Sequence, residues 1–250
     1  MITYNVARDW DLPTLIHNLK EAGWSGAELR TEHAHKVETA LAKPERAEVK
    51  KRFEDAGVEL WGLGTICEFH SADRKTVREN IESCKRWCEL AEEVGARGVK
   101  VRPNGLPKEV EESTTLERIG VSLNECGITA ESHGVEIWLE VHGSQTAHPP
   151  RIRTILDHCN HPRVGACWNC NKEDLLDGSV KPYFDLLKND IKSLHINDLW
   201  SSYPYEELFK LLQESGYYRY ALCEVGTSFL PDEGLVFMKC YKALWEKMRK

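Results

Sequence analysis

Gly134-Val135-Glu136-Ile137-Trp138-Leu139-Glu140-Val141-His142-Gly143 decides how the chain is read. Val135, Ile137 and Leu139 alternate with other residues, the period-two signature of a strand. In a strand, residues i and i+2 share a side. Glu140 and His142 therefore leave the strand's C-terminal end together, a carboxylate beside an imidazole, before Gly143 turns the chain. Such a pair suits a metal ion or a substrate hydroxyl.

The same pattern recurs outward in both directions. Strands are expected at residues 2–6, 24–30, 58–64 and 98–102 before this stretch, and at 164–169, 191–196 and 220–225 after it. Helical periodicity fills the intervals. Leu12, Leu15, Ile16 and Leu19 follow a candidate N-cap at Asp11, with Pro13 in the first turn. Val77, Ile81, Cys84, Cys88 and Ala91 form one apolar stripe behind Ser71 or Asp73, so these cysteines read as core residues. Residues 175–187 read as a helix broken around Gly178 and Pro182.

Eight strand–helix units fit into 250 residues without a long linker or low-complexity tract. Strands alternating with helices imply an α/β fold with a parallel sheet. Eight units at this length predict a single-domain (β/α)8 TIM barrel over residues 1–250. The rival doubly wound sheet lacks its Gly-rich G-x-G-x-x-G turn after the first strand.

Composition narrows the function. The net charge of −7 offers no basic stripe for a phosphate backbone, so nucleic acid is a disfavoured partner. No apolar run approaches the ~18 residues of a membrane span. The start, Met1-Ile2-Thr3-Tyr4-Asn5-Val6, reads as a strand rather than a signal peptide, and the nine scattered cysteines read as reduced thiols. A cytoplasmic enzyme is expected.

In a barrel, the C-terminal strand ends form the active face. Polar residues collect there: Arg8 and Asp9; Glu28 and Arg30, with His33 and His35; Glu68 and His70; Lys100 and Arg102; Glu140 and His142; Asn169 and Asn171; His195 and Asp198; and Glu224. Glu140, His195 and Glu224 carry the oxygen and nitrogen ligands that suit Mn²⁺, Mg²⁺, Co²⁺ or Zn²⁺. Cys167-x-x-Cys170 has no second pair and lies within a strand, so ordinary thiols are expected there rather than zinc or redox chemistry.

Gly23-Trp24-Ser25-Gly26-Ala27-Glu28, Leu139-Glu140-Val141-His142, Val164-Gly165-Ala166-Cys167-Trp168-Asn169, Leu194-His195-Ile196-Asn197-Asp198 and Cys223-Glu224-Val225 together resemble the xylose-isomerase-like barrels. That family includes sugar and sugar phosphate isomerases and epimerases, and the resemblance runs through nearly the whole chain. It implies one divalent ion held from the fifth to the eighth strand by Glu140, Asn169, His195 and Glu224. Asn169 departs from the family pattern, which has Asp there; an amide oxygen ligates without bringing charge.

The resemblance implies isomerisation or epimerisation through an enediol, with Glu140 and Glu224 moving the proton. His142, Arg102, Lys100, Asp198 and His70 would contact substrate oxygens, and Trp168 would pack against a sugar face. The endonuclease IV branch is disfavoured, because its histidines are missing from Asn169-Cys170-Asn171-Lys172 and Asp198-Leu199-Trp200. A metal-assisted lyase or hydratase of 3-keto-sugars or keto-glycosides is one alternative, and a catalytically altered sugar-binding barrel is another. No phosphate cradle is visible, which favours an unphosphorylated sugar. The segment Trp200-Ser201-Ser202-Tyr203-Pro204-Tyr205 reads as a lid, a substrate wall or a homo-oligomer contact.

Overall fold

A computed structural model describes residues 1–249. Seven parallel strands stand side by side in chain order: β1 (Gly26–Arg30), β2 (Glu59–Glu68), β3 (Gly98–Arg102), β4 (Glu136–Glu140), β5 (Val164–Trp168), β6 (Ile191–Ile196) and β7 (Ala221–Cys223). The N-terminal residues close the ring between β7 and β1. Ile2 N donates to Cys223 O at 3.1 Å, Glu28 N to Met1 O at 2.8 Å and Thr3 N to Glu28 O at 3.0 Å. The strand expected at residues 2–6 is thus reduced to a bridge at Ile2, because the chain turns at once and Asn5 adopts a left-handed φ of 60°. The result is a (β/α)8 barrel with one very short stave.

Helices α1 (Leu12–Glu21), α2 (Lys43–Ala56), α3 (Arg74–Val94), α4 (Glu112–Ser132), α5 (Pro149–Cys159), α6 (Lys181–Leu187), α7 (Tyr205–Glu214) and α8 (Pro231–Met248) alternate with the strands. The predicted starts hold at Asp11, whose side chain accepts from Thr14 N, and at Asp73, which accepts from Lys75 N and Thr76 N. The segment expected as a broken helix at 175–187 becomes a tight Leu176–Ser179 turn followed by α6, with Pro182 in its first turn. No helix among the described residues is long and apolar enough to cross a membrane.

Apolar packing lies mostly between the strands and the helical ring. Inside the barrel a small separate cluster forms the floor: Trp61, Trp138, Cys167 and Leu222. Trp61 and Trp138 stack with centroids 5.2 Å apart, and Trp61 Nε1 donates to Ser193 Oγ at 3.1 Å. Below them Trp138 Nε1 donates to Glu136, which Arg219 clamps through two bonds of 2.6 and 3.0 Å.

The strand period converts this floor into a polar layer above it. Two residues beyond Gly26, Gly98, Trp138, Ser193 and Leu222 stand Glu28, Lys100, Glu140, His195 and Glu224. The tryptophan floor requires its neighbours to lack a side chain: a Cβ on Gly98 would stand 2.5 Å from the Trp138 ring. Gly98→Ala is expected to destabilise the protein by about 1–3 kcal/mol through overpacking. Urea unfolding checks this, and a change below about 0.5 kcal/mol would show that the floor yields.

Candidate metal centre

Glu140, His195 and Glu224 end three different strand segments, and their ligand atoms lie within 4.8 Å of one another. His195 is fully buried at the end of β6. Its Nδ1 stands 3.7 Å from Glu140 Oε1 and 3.3 Å from Glu224 Oε2. Its Nε2 faces the other way, 3.2 Å from Glu28 Oε2. Glu140 Oε2 takes a 2.7 Å bond from Lys100 Nζ, and Glu140 Oε1 takes a 3.2 Å bond from Asn169 Nδ2.

The residues present fit a divalent cation. His195 Nδ1 and Asn169 Oδ1 are buried without a hydrogen-bond partner, although buried polar atoms are seldom left unpaired. Glu28, Glu140 and Glu224 gather around Lys100 and the His195 imidazole, an acid-rich donor set of oxygen and nitrogen that suits a divalent cation. Among the described residues this is the one such metal-ligand group. Cys167 belongs to the barrel floor and Cys170 to the layer beneath the helices, so the two thiols do not form a site.

Burial alone would raise the Glu140 pKa, but Lys100 and His195 outweigh it and hold the carboxyl well below the usual range. Burial would lower Lys100; Glu140, Glu28 and Glu224 reverse that and keep it protonated. His195 is likewise lowered by burial and raised further by Cys167, Glu28 and Glu224, to well above its ordinary value.

The other residues expected at the site divide into two groups. His142 is half-buried at the mouth with Nδ1 unpartnered. Arg102 pairs with Glu68, which also accepts from Asn104 at 2.7 Å, and His70 Nδ1 stands 3.8 Å from the same carboxylate. Asp198 is half-buried where the chain turns after β6. Lys100 is an internal ion-pair partner, buried too deeply to lie at the mouth.

Trp168 does not reach the mouth. It is fully buried on the helix side of β5, against Phe184, and its Nε1 donates to Tyr203 Oη at 3.1 Å. Strand alternation explains this: Cys167 points inward, so Trp168 must point outward. His35 fixes its own loop by bonding Arg30 O and accepting from Val37 N. Glu28 was among the polar strand ends, yet its pairing with His195 depends on barrel closure, because 167 residues separate them.

A larger crevice of about 940 Å³ lies at the opposite end of the barrel, beside Trp24, Tyr220 and Arg219. Three of its polar side chains are tied to the barrel: Tyr220 Oη donates to Ser25 O, Lys242 Nζ to Gly23 O and Arg219 to Glu136.

Residues 16–239 match the family model described as "Xylose isomerase-like TIM barrel". The chain belongs to that family. No curated protein matches it in sequence at a significant level. Among solved structures of the same fold, the 3-keto-D-glucoside 4-epimerase YcjR from E. coli superposes with a TM-score of 0.80 at 14% identity, covering 98% of this chain and 100% of the other. The D-psicose 3-epimerase from Clostridium cellulolyticum H10, solved with D-tagatose, gives 0.81 at 13% identity over 100% of this chain and 97% of the other. The IOLI protein, solved with a zinc atom, gives 0.76 at 16% identity over 100% and 96%.

In this xylose isomerase-like barrel the loop after β5 is tied to the aromatic segment after β6. Asp174 Oδ2 accepts from Asn171 N at 2.6 Å and from Tyr203 Oη at 3.2 Å. Burial pushes the Asp174 carboxyl from 3.8 up to about 8. Between those values the folded chain keeps a proton that the unfolded chain releases, so this contribution to stability falls as pH rises from about 4 to 8, by at most ~1.4 kcal/mol per pH unit. Asp174→Asn should match the wild type near pH 4 and exceed it in stability at pH 8. Denaturant titrations across this range test it; a gap that fails to widen with pH refutes the assignment.

Proposed function

We propose that the protein is a divalent-metal-dependent isomerase or epimerase of an unphosphorylated sugar or related polyhydroxy ketone, acting by proton abstraction beside a carbonyl through an enediolate. The observation that carries this reading is the unpartnered His195 Nδ1, set between Glu140 Oε1 and Glu224 Oε2 within an excess of negative charge. Family membership supports it, as do two barrels of similar structure, the 3-keto-D-glucoside 4-epimerase and the D-psicose 3-epimerase.

Glu140, His195 and Glu224, with the Asn169 amide oxygen, would hold Mn²⁺, Mg²⁺, Co²⁺ or Zn²⁺. Such an ion supplies Lewis acidity, polarising adjacent substrate oxygens and acidifying the carbon between them. Lys100 keeps Glu140 ionised and makes it a weak base. The Lys100 hydrogen bond goes to Glu140 rather than Glu224, and the Glu224 side chain is 15% exposed against 3% for Glu140. Glu224 therefore takes the carbon-bound proton, and returning it to the neighbouring carbon on the same face gives a 1,2 shift. Glu140 remains the second proton-transfer group, the one that two-base epimerisation needs on the opposite face. His142 and Arg102 line the mouth, where they bind substrate oxygens and bias the polarity of the carbonyl.

Glu224→Gln should lower kcat by about 10²–10⁴-fold and abolish exchange of substrate carbon-bound hydrogen with D₂O. Product analysis is decisive on reaction type: an isomerase or epimerase conserves substrate mass, whereas a lyase releases water or an aglycone. A purified protein that retains no divalent metal and turns over no keto-sugar would sink the proposal and leave a sugar-binding barrel. Asn169→Asp adds a third carboxylate and is expected to tighten Mn²⁺ binding about tenfold or more, ~1.4 kcal/mol per factor of ten. Calorimetric titration measures it, and equal affinity would remove Asn169 from the ligand set.

A further inference from the structure

One buried carboxylate in the centre is not used by the proposed chemistry. Glu28 is completely buried at the middle of β1. It lies behind His195, on the Nε2 side of the ring, while Glu140 and Glu224 face Nδ1. It therefore cannot meet a substrate entering at the mouth. Its Oε2 stands 3.2 Å from His195 Nε2, and its Oε1 has no partner. A carboxyl group so fully buried, with one oxygen lacking a partner, is costly unless something requires it. The sheet also makes room for it: Gly64 on β2 pairs with Arg30 on β1, and a Cβ at position 64 would stand 2.8 Å from Glu28 Oε1.

We propose that Glu28 is a positioning residue that selects the ligating tautomer of His195. This rests on the metal-dependent reading of the site. An imidazole that ligates a metal is neutral, with one N–H and one lone pair, so the incoming ion displaces one ring proton. Glu28 accepts the Nε2 proton, so the lone pair falls on Nδ1, between Glu140, Asn169 and Glu224. The opposite tautomer would set the Nε2 lone pair against a buried anion at 3.2 Å. A carboxylate on the far nitrogen also fixes the ring's orientation and raises the basicity of the ligating one.

The experiment compares wild type, Glu28→Gln and Gly64→Ala by calorimetric titration with Mn²⁺ and Co²⁺, by the visible spectrum of bound Co²⁺ and by thermal unfolding of the metal-free proteins. Glu28→Gln should unfold at or above the wild-type temperature, since a buried charge is gone, yet bind Mn²⁺ roughly 10–100-fold more weakly and alter the Co²⁺ spectrum. A merely structural Glu28 predicts the reverse, a lower unfolding temperature with unchanged affinity and spectrum, and that result overturns the proposal. Should Glu28→Gln fail to fold, Gly64→Ala carries the test, because it displaces the carboxylate while keeping its charge. The same loss of affinity is expected there, and unchanged affinity overturns the assignment. If the wild type binds neither ion, the functional reading and the positioning role fall together; binding that Glu28→Gln leaves intact removes the positioning role alone.

Discussion

The centre of this barrel depends on the ion pair between Lys100 and Glu140, which is almost wholly removed from water. Withdrawing two charges from solvent costs several kcal/mol per ion, and well-packed apolar residues of similar size are often neutral or more stabilising by about 1–4 kcal/mol. The pair is therefore poorly explained as a stabilising device. It keeps a carboxylate ionised in a dry place, 3.7 Å from an imidazole nitrogen that has no partner. Electrostatic effects are strongest where water is excluded, and that is where the barrel concentrates its acids.

The layer beneath makes this possible. The stacked Trp61 and Trp138, with Cys167 and Leu222, form a buried apolar cluster inside the barrel beneath the acids. Gly62 and Gly98 admit the Trp138 ring where any side chain would clash. Glu140, Asn169 and Glu224 each stand two positions after a member of this floor, Trp138, Cys167 and Leu222, so a rigid floor fixes their height above it. Precision in the site is thus inherited from packing in the core.

Asn169 gives this member of the family its own electrostatic character. With Asp at that position, the cluster would hold four carboxylates against one ammonium. With Asn it holds three, beside Lys100 and the His195 imidazole. The amide also donates to Glu140 Oε1, so two of the four lone-pair regions of Glu140 are engaged by Lys100 and Asn169 before any ion binds. Glu224, the more exposed of the two, takes no bond from Lys100.

Periodicity alone was enough to read the barrel, the order of its units and the residues at its active end, because strand alternation and helical spacing are local properties of the chain. Glu140, His195 and Glu224 were legible for the same reason: each is a ligand-type residue at the end of an apolar strand. Other features were settled only by the closed ring. The first stave shrinks to Ile2 because Asn5 turns the chain, a matter of backbone geometry that apolar content does not encode. Trp168 faces the helices because its neighbour Cys167 faces in, and Lys100 meets Glu140 instead of solvent because β3 and β4 are adjacent. Glu28 finds His195 across 167 residues of sequence, since only closure brings β1 and β6 to opposite sides of one small interior. Sequence determined which polar residues stand at the C-terminal strand ends; tertiary structure decided which of them touch, because contact across a closed sheet depends on register and radius rather than on local pattern.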